Sequence, residues 1–180
     1  DHDAGNGAAM RVLPVALATF GQSEAVVRTA GQAQAHVTHN NVVSDAVCQF
    51  LTLAVQDLLR ACSLEEMLGH HLGALLAAHP ELSFRDRPRR ENPSGWVVET
   101  LQAVLQGLLG GDGFEDCLVD VVNRGGDADT TGAIAGMLAG ALYGPQAIPK
   151  RWLKALDADI ADRCRAQARA LLPLAACQVA

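Results

Sequence analysis

NRGGDADTTGAIAGMLAGALYG, Asn123 to Gly144, decides how this chain is read. Gly125 and Gly126 lead into Asp127 and Asp129, Thr130 follows, and a run of small apolar residues comes after. Residues i and i+2 do not share a helix face, so the two acids converge only in a turn just ahead of a helix. The stretch therefore predicts a glycine turn, a carboxylate pair and then a helix. Gly132, Gly136 and Gly140 recur every fourth residue and lie on one helix face. Each costs about 1 kcal/mol relative to Ala in a helix interior. The pattern predicts another backbone packed close against that face.

The residues around this stretch are also helical in pattern. Val47, Phe50, Leu51, Ala54, Val55, Leu58 and Leu59 step by threes and fours, with Ser44 and Asp45 offering N-cap side chains before them. Ser63 to Glu66 reads as a capping box, opening a helix that stops near His79-Pro80. A helix from about Trp96 carries Val97, Leu101, Val104, Leu105 and Leu108 and ends at Gly110-Gly111. Others are predicted over Phe114–Val122 and from about Asp157 to Leu172, before Pro173. No segment alternates convincingly with period two. The fold class is all-α, a single compact multi-helix domain over residues 1–180.

Composition narrows the function. The 180 residues are 49% hydrophobic and 4% aromatic with a formal charge of −6. That argues against a nucleic-acid partner. The longest apolar run, Ala133 to Tyr143, is too short to span a bilayer, so no transmembrane segment is expected. Five cysteines, at 48, 62, 117, 164 and 177, form no Cys-x-x-Cys pair and read as reduced, buried thiols of a cytosolic protein. Arg85, Arg87, Arg89 and Arg90 cluster between prolines in Phe84–Gly95, read either as a solvated loop or as a docking loop for an acidic partner.

Three places carry chemistry. Asp127, Asp129 and Thr130 put three oxygen-bearing side chains into four residues. An all-oxygen set suits a hard divalent cation, and the stretch lacks the His or Cys that zinc would want. Acids ahead of a helix also serve as caps. Both readings remain open on this stretch alone. DAGNGAAMR, Asp3 to Arg11, sets an acid before Gly-Asn-Gly and a helix opening at about Ala8. Such a turn can cradle phosphate, and a plain capped loop has the same pattern. THNN, Thr38 to Asn41, places His39 where a helix ends.

Taken together, these motifs resemble the ADP-ribosylglycohydrolase family, whose Gly-Gly-Asp-x-Asp-Thr-x-Gly-Ala-x-Ala-Gly signature is close to the stretch from Gly125. DAGNGAAMRVLPVALATFG and GWVVETLQAVLQ make the chain most similar to bacterial members that act on the nitrogenase iron protein. The resemblance covers essentially all 180 residues and the C-terminal two-thirds or so of the family domain. It implies an all-α fold around two Mg²⁺ or Mn²⁺ ions. Asp127, Asp129 and Thr130 would be metal ligands, and Asp3 a metal ligand implicated in catalysis. Gly5, Asn6 and Gly7 would line the ADP-ribose site. His39 would approach the ADP-ribose, and Trp96 stands where relatives carry an aromatic near the adenine. Asn41 stands where histidine is common. The family's Thr-Asp-Asp motif has no counterpart here, and the chain opens DHDAGNGAAMR without an initiator Met. The expectation is that an upstream segment completes the metal shell and that this chain alone is inactive.

The implied activity is hydrolysis of the N-glycosidic bond between ADP-ribose and an arginine of a target protein, the nitrogenase iron protein. A PII-type signalling protein is implied as a regulatory partner. The location implied is the bacterial cytoplasm, with any membrane attachment made through a partner. Two alternatives stand beside it: a non-catalytic module that binds ADP-ribose or a partner, and a family hydrolase acting on another linkage such as O-linked serine.

Overall fold

The computed structural model describes residues 4–175. They form α1 (Leu13–Ala18), α2 (Glu24–Ala35), α3 (Val42–Leu59), α4 (Leu64–Ala78), α5 (Val97–Gly110), α6 (Phe114–Asn123), α7 (Ala128–Tyr143), α8 (Lys150–Ala155) and α9 (Ala158–Leu171), with short 3-10 turns between some of them. Among the described residues there is no strand, and one antiparallel bridge joins Gly5 to Trp96. The all-α expectation holds.

α3, α5 and α7 make the centre, because their apolar residues run nearly all round. Leu51, Leu101, Leu105, Ile134 and Leu138 are fully buried where these helices meet. Truncating one of them to Ala costs about 2–5 kcal/mol in such a core. α2 and α4 flank α3, while α6 packs on α5 and α7. α3 is long and apolar enough to cross a membrane, at mean hydropathy 1.4, but more than half of it is buried within the fold. It is the central helix of this core.

Several helix starts differ from the sequence reading. α3 opens at Val42, a turn earlier than Ser44 and Asp45 suggest. Asn41 is its cap, in extended backbone, with its side-chain oxygen accepting from Val43 N at 2.9 Å and Ser44 N at 3.3 Å. Ser44 and Asp45 are thereby freed for tertiary bonds. The helix expected at Ala8 is instead a 3-10 turn, Ala9–Arg11, and α1 restarts at Leu13. Pro14 explains the break, since it has no N–H to continue a ladder but is tolerated in the first turn of a new helix. α4 opens on the expected capping box, Ser63 Oγ accepting from Glu66 N and Glu66 accepting from Ser63 N. α8 was not anticipated; its Trp152 packs on Phe114 of α6.

The glycine face of α7 also differs from expectation. A methyl group at Gly132 would come within 2.9 Å of Val122 Cγ2, but at Gly136 it would meet Leu118 Cδ1 at an ordinary 3.9 Å, and at Gly140 nothing within 4 Å. Side chains of α6, not a backbone, cover this face. The close backbone approach lies just upstream. Gly126 has φ +63, and a methyl there would strike the Pro93 carbonyl and lie 2.6 Å from Asn92 C.

The thiols divide by position. Cys48 and Cys117 are buried, which pushes their pKa up to about 12 and about 11. Cys62 is half-buried, whereas Cys164 is exposed on α9, contrary to the all-buried reading. Cys177 lies outside the described residues.

Candidate functional site

Two turns that are distant in sequence meet at one end of the helical core. The first is the Gly5–Gly7 turn. It is held by Asn6 N donating to Gly95 O at 2.9 Å and Val97 N donating to Ala4 O at 2.9 Å. Ser44 Oγ of α3 donates to Gly5 O at 3.2 Å. The second is the Gly125–Gly126 turn that delivers Asp127 to the start of α7. Both glycines have positive φ, +77 and +63, which a side chain adopts only with strain.

Asn6 joins the two turns. It is 6% exposed, and its side-chain amide donates to Asp127 Oδ2 at 2.7 Å and to Thr100 Oγ1 at 2.9 Å. Asp127 sits at the N-cap position of α7, yet its side chain makes no cap hydrogen bond. The Asn6 amide holds its carboxyl below the usual range; partial burial opposes this, while contacts with Thr130 and Asp129 add to it. Asp127 ends the turn, whereas Asp129 and Thr130 lie in the first turn of α7, so only one of the two acids stands ahead of the helix where the spacing predicts both. Asp127 and Thr130 are half-buried and Asp129 is exposed. Asp3 lies outside the described residues, directly before Ala4.

His39 closes the other side of the glycine turn. A methyl group at Gly5 would come within 2.7 Å of its Nε2, and one at Gly7 within 3.0 Å of its Cε1. These glycines let the imidazole lie against the turn, a role beside the phosphate cradle and the plain capped loop that the sequence pattern suggests. Thr38 Oγ1 is 2.7 Å from His39 Nδ1 and accepts from Arg11 Nη2 at 2.8 Å. With an arginine donor on its oxygen, Thr38 can give its own proton to Nδ1. The contact admits the tautomer with the ring proton on Nε2, facing the turn. Trp96, bridged to Gly5, is 45% exposed beside the same turn. Gly5, Asn6, Gly7, His39, Trp96 and Asp127 thus form one rim.

The segment Phe84–Gly95 is tied down where it adjoins this rim. Arg90 donates to Gln102 Oε1 at 2.9 Å and pairs with Glu99, while Arg89 pairs with Asp120 at 2.7 Å. Asn92 N donates to Arg124 O at 2.8 Å and Asp127 N to Pro93 O at 2.7 Å. Arg124, 4% exposed, pairs with Asp120 and donates to Gln106 Oε1 at 2.9 Å. The solvated-loop reading fits Arg85 and Arg87, and in part Arg89, which is exposed but pairs with Asp120 of α6; it does not fit Arg90, which is half-buried and bonded to Gln102 of α5.

These contacts give the molecule a carboxylate turn, a glycine turn and a histidine on one rim, in an all-α frame. The profile described as ADP-ribosylglycohydrolase matches residues 1–178. The chain belongs to the ADP-ribosylglycohydrolase family. Within that family it is 45% identical over 178 residues to the ADP-ribosyl-[dinitrogen reductase] glycohydrolase of Rhodospirillum rubrum, covering 96% of this chain and 58% of that protein. It is 33% identical to the ADP-ribosylarginine hydrolase Tri1 of Serratia proteamaculans, covering 85% of this chain and 43% of that protein. A solved structure titled "ADP-ribosylglycohydrolase-related protein complex" superposes with a TM-score of 0.85 at 35% identity, over 96% of this chain and 61% of that one. The chain thus spans about half the length of the curated relatives it matches.

The sequence missed three residues that build the rim. Thr100 anchors Asn6, Ser44 holds Gly5, and Arg11 supports Thr38. Arg11 ends the quoted DAGNGAAMR and Ser44 is a cap candidate by residue type, but neither signal pointed to its contact at the rim.

Proposed function

We propose that the protein containing this chain is a metal-dependent ADP-ribosylarginine hydrolase. The observation that carries this reading is the 2.7 Å bond from Asn6 to Asp127, which fuses turns 121 residues apart into one site. The names of the relatives support it, since one acts on ADP-ribosyl-dinitrogen reductase and another on ADP-ribosylarginine.

The residues fit a hard cation. Among the described residues, neither Asp127 nor Asp129 forms an ion pair with a basic side chain. Asp127, kept readily ionised by Asn6 and adjoining a second carboxyl, leaves negative charge that a dication would balance. Asp127, Asp129, Thr130 and Asp3 would hold two Mg²⁺ or Mn²⁺. Bound there, the ions supply Lewis-acid polarisation of ribose hydroxyls and of a nearby water.

The chain's own residues do the rest. Asp3 orients the attacking water and takes its proton as the C–N bond at the anomeric carbon breaks. The Gly5–Gly7 turn holds the diphosphate, with Nε2–H of His39 as a donor at its edge. Trp96 offers an exposed face to the adenine. The products are ADP-ribose and an unmodified arginine. The target is the nitrogenase iron protein, with a PII-type protein as regulator, in the bacterial cytoplasm.

The test is turnover by the complete protein with Mn²⁺ on arginine- and serine-ADP-ribosylated proteins. Release of ADP-ribose from the arginine substrate alone is expected. Release from the serine substrate alone would overturn the linkage assigned here, and ADP-ribose binding without turnover would make the protein a binding module.

A further inference from the structure

A second cluster lies elsewhere on the helical core. Asp57 stands in the last turn of α3, and His70 and His71 in the second turn of α4. His70 Nδ1 is 2.8 Å and His71 Nε2 is 2.9 Å from the same oxygen, Asp57 Oδ2. One ligand atom from each of the three lies within 4.8 Å of the others. The place is remote from the glycine turn. Ser44, which touches Gly5, is thirteen residues earlier on α3, about 20 Å away along the helix.

Consecutive helix residues point about 100° apart, so two imidazoles from neighbouring positions do not converge by default. Here they do, on one carboxylate oxygen, and both histidines also line a cleft of about 300 Å³. Asp57 and His71 side chains are 16% and 21% exposed, while that of His70 is 55% exposed. The remaining oxygen, Oδ1, faces Arg60 Nη1 at 3.4 Å, which leaves Oδ2 as the single available donor.

We infer that Asp57, His70 and His71 form a binding site for a single borderline divalent cation of the Zn²⁺ class, clipping the end of α3 to the start of α4. Two imidazoles and one carboxylate are a nitrogen-rich set that such ions favour and that Mg²⁺ and Mn²⁺ do not. Ligands about 2.05 Å from a tetrahedral centre are about 3.3 Å apart. The present N–O separations need to open by about half an ångström and the two ring nitrogens, which lie within 4.8 Å, to settle at the same spacing, by χ adjustments in which the exposed His70 moves most. Each neutral imidazole carries its ring proton on the nitrogen away from the ion, Nε2 of His70 and Nδ1 of His71. The exposed side of His70 leaves the fourth position to water. The inference is independent of the proposed hydrolase reading, since it shares no residue with that site.

The experiment uses the complete, tag-free protein in excess Mg²⁺, with Co²⁺ as a spectroscopic probe and Zn²⁺ as competitor. The expected result is the intense visible band of four-coordinate Co²⁺, saturating at one equivalent and abolished by Zn²⁺. Zn²⁺ should also raise Tm by a few degrees. His71→Gln and Asp57→Asn should each weaken Co²⁺ binding about tenfold or more, with helical circular dichroism unchanged, and His36→Gln, at a histidine that pairs with Asp45 outside the cluster, should leave it unaltered. Absence of the band, its persistence in both His71→Gln and Asp57→Asn, or its loss in His36→Gln would each overturn the inference. If one variant fails to fold, the other decides.

Discussion

Asn6 donates to Asp127 across 2.7 Å, so the first glycine turn sets the charge and position of the acid that opens α7. A charge-assisted bond of this kind contributes about 1.5–3 kcal/mol. Asn6→Ala should lose stability in that range and change its pH dependence. The folded-state pKa of Asp127 is below its ordinary value of 3.8. Its ionised form therefore stabilises the fold above the unfolded pKa, and that contribution is lost as pH falls through the folded value. Urea unfolding from pH 5 downward should show a shallower acid-side decline in Asn6→Ala than in the wild type. Parallel curves would mean that Asn6 does not control this carboxyl.

Asp129 tests ligand against cap more cleanly than Asp127, because it is exposed and holds no buried partner. Asp129→Ala should change stability by about 0.5 kcal/mol or less. In the complete protein it should nevertheless abolish Mn²⁺-dependent turnover. Turnover near wild type would return Asp129 to the role of a first-turn acid favoured by the helix dipole.

The glycines of the signature should separate by position. Gly136→Ala adds a methyl at van der Waals distance from Leu118 and improves helix propensity by about 1 kcal/mol. It should raise Tm slightly. Gly126→Ala forces a methyl into the Pro93 carbonyl at positive φ, and should unfold the turn or cost several degrees of Tm. Equal melting temperatures for the two variants would contradict this division.

The sequence carries the helices clearly and the rim only in part. Ser63 and Glu66 form the predicted capping box because both partners lie within one turn. The period of α5 follows from residues that all bury in one place. The glycine face of α7 was misjudged because a repeat of glycines specifies small neighbours without saying whether they are backbone or side chain. The bonds from Asn6 to Thr100 and Asp127 span 94 and 121 residues and obey no local spacing, so only the family resemblance set Asn6 and Asp127 at one site and nothing pointed to Thr100. Asn41 was legible as an N-cap residue type, but the stronger apolar pattern from Val47 drew the helix start too far downstream.

The last prediction concerns His39 and the glycines beneath it. If Gly5 and Gly7 exist to admit the imidazole, then Gly7→Ala and His39→Ala should produce the same phenotype by opposite routes. The methyl at Gly7 would sit 3.0 Å from His39 Cε1 and push the ring away from the turn, while the truncation removes the ring. Thr38→Val makes a third route, because it deletes the hydroxyl that orders Nδ1 and unseats Arg11. All three lie at the surface edge of the turn, where His39 is half-buried, so global stability should fall by about 1 kcal/mol or less. Calorimetric titration of ADP-ribose into the complete protein should show affinity reduced about five- to tenfold in each, the scale of one lost hydrogen bond to a phosphate or hydroxyl. The double variant Gly7→Ala/His39→Ala should be no worse than His39→Ala alone, since the methyl then has no ring to displace. Additive losses in the double variant would show that Gly7 contacts the ligand directly and that the imidazole is not what the glycine accommodates.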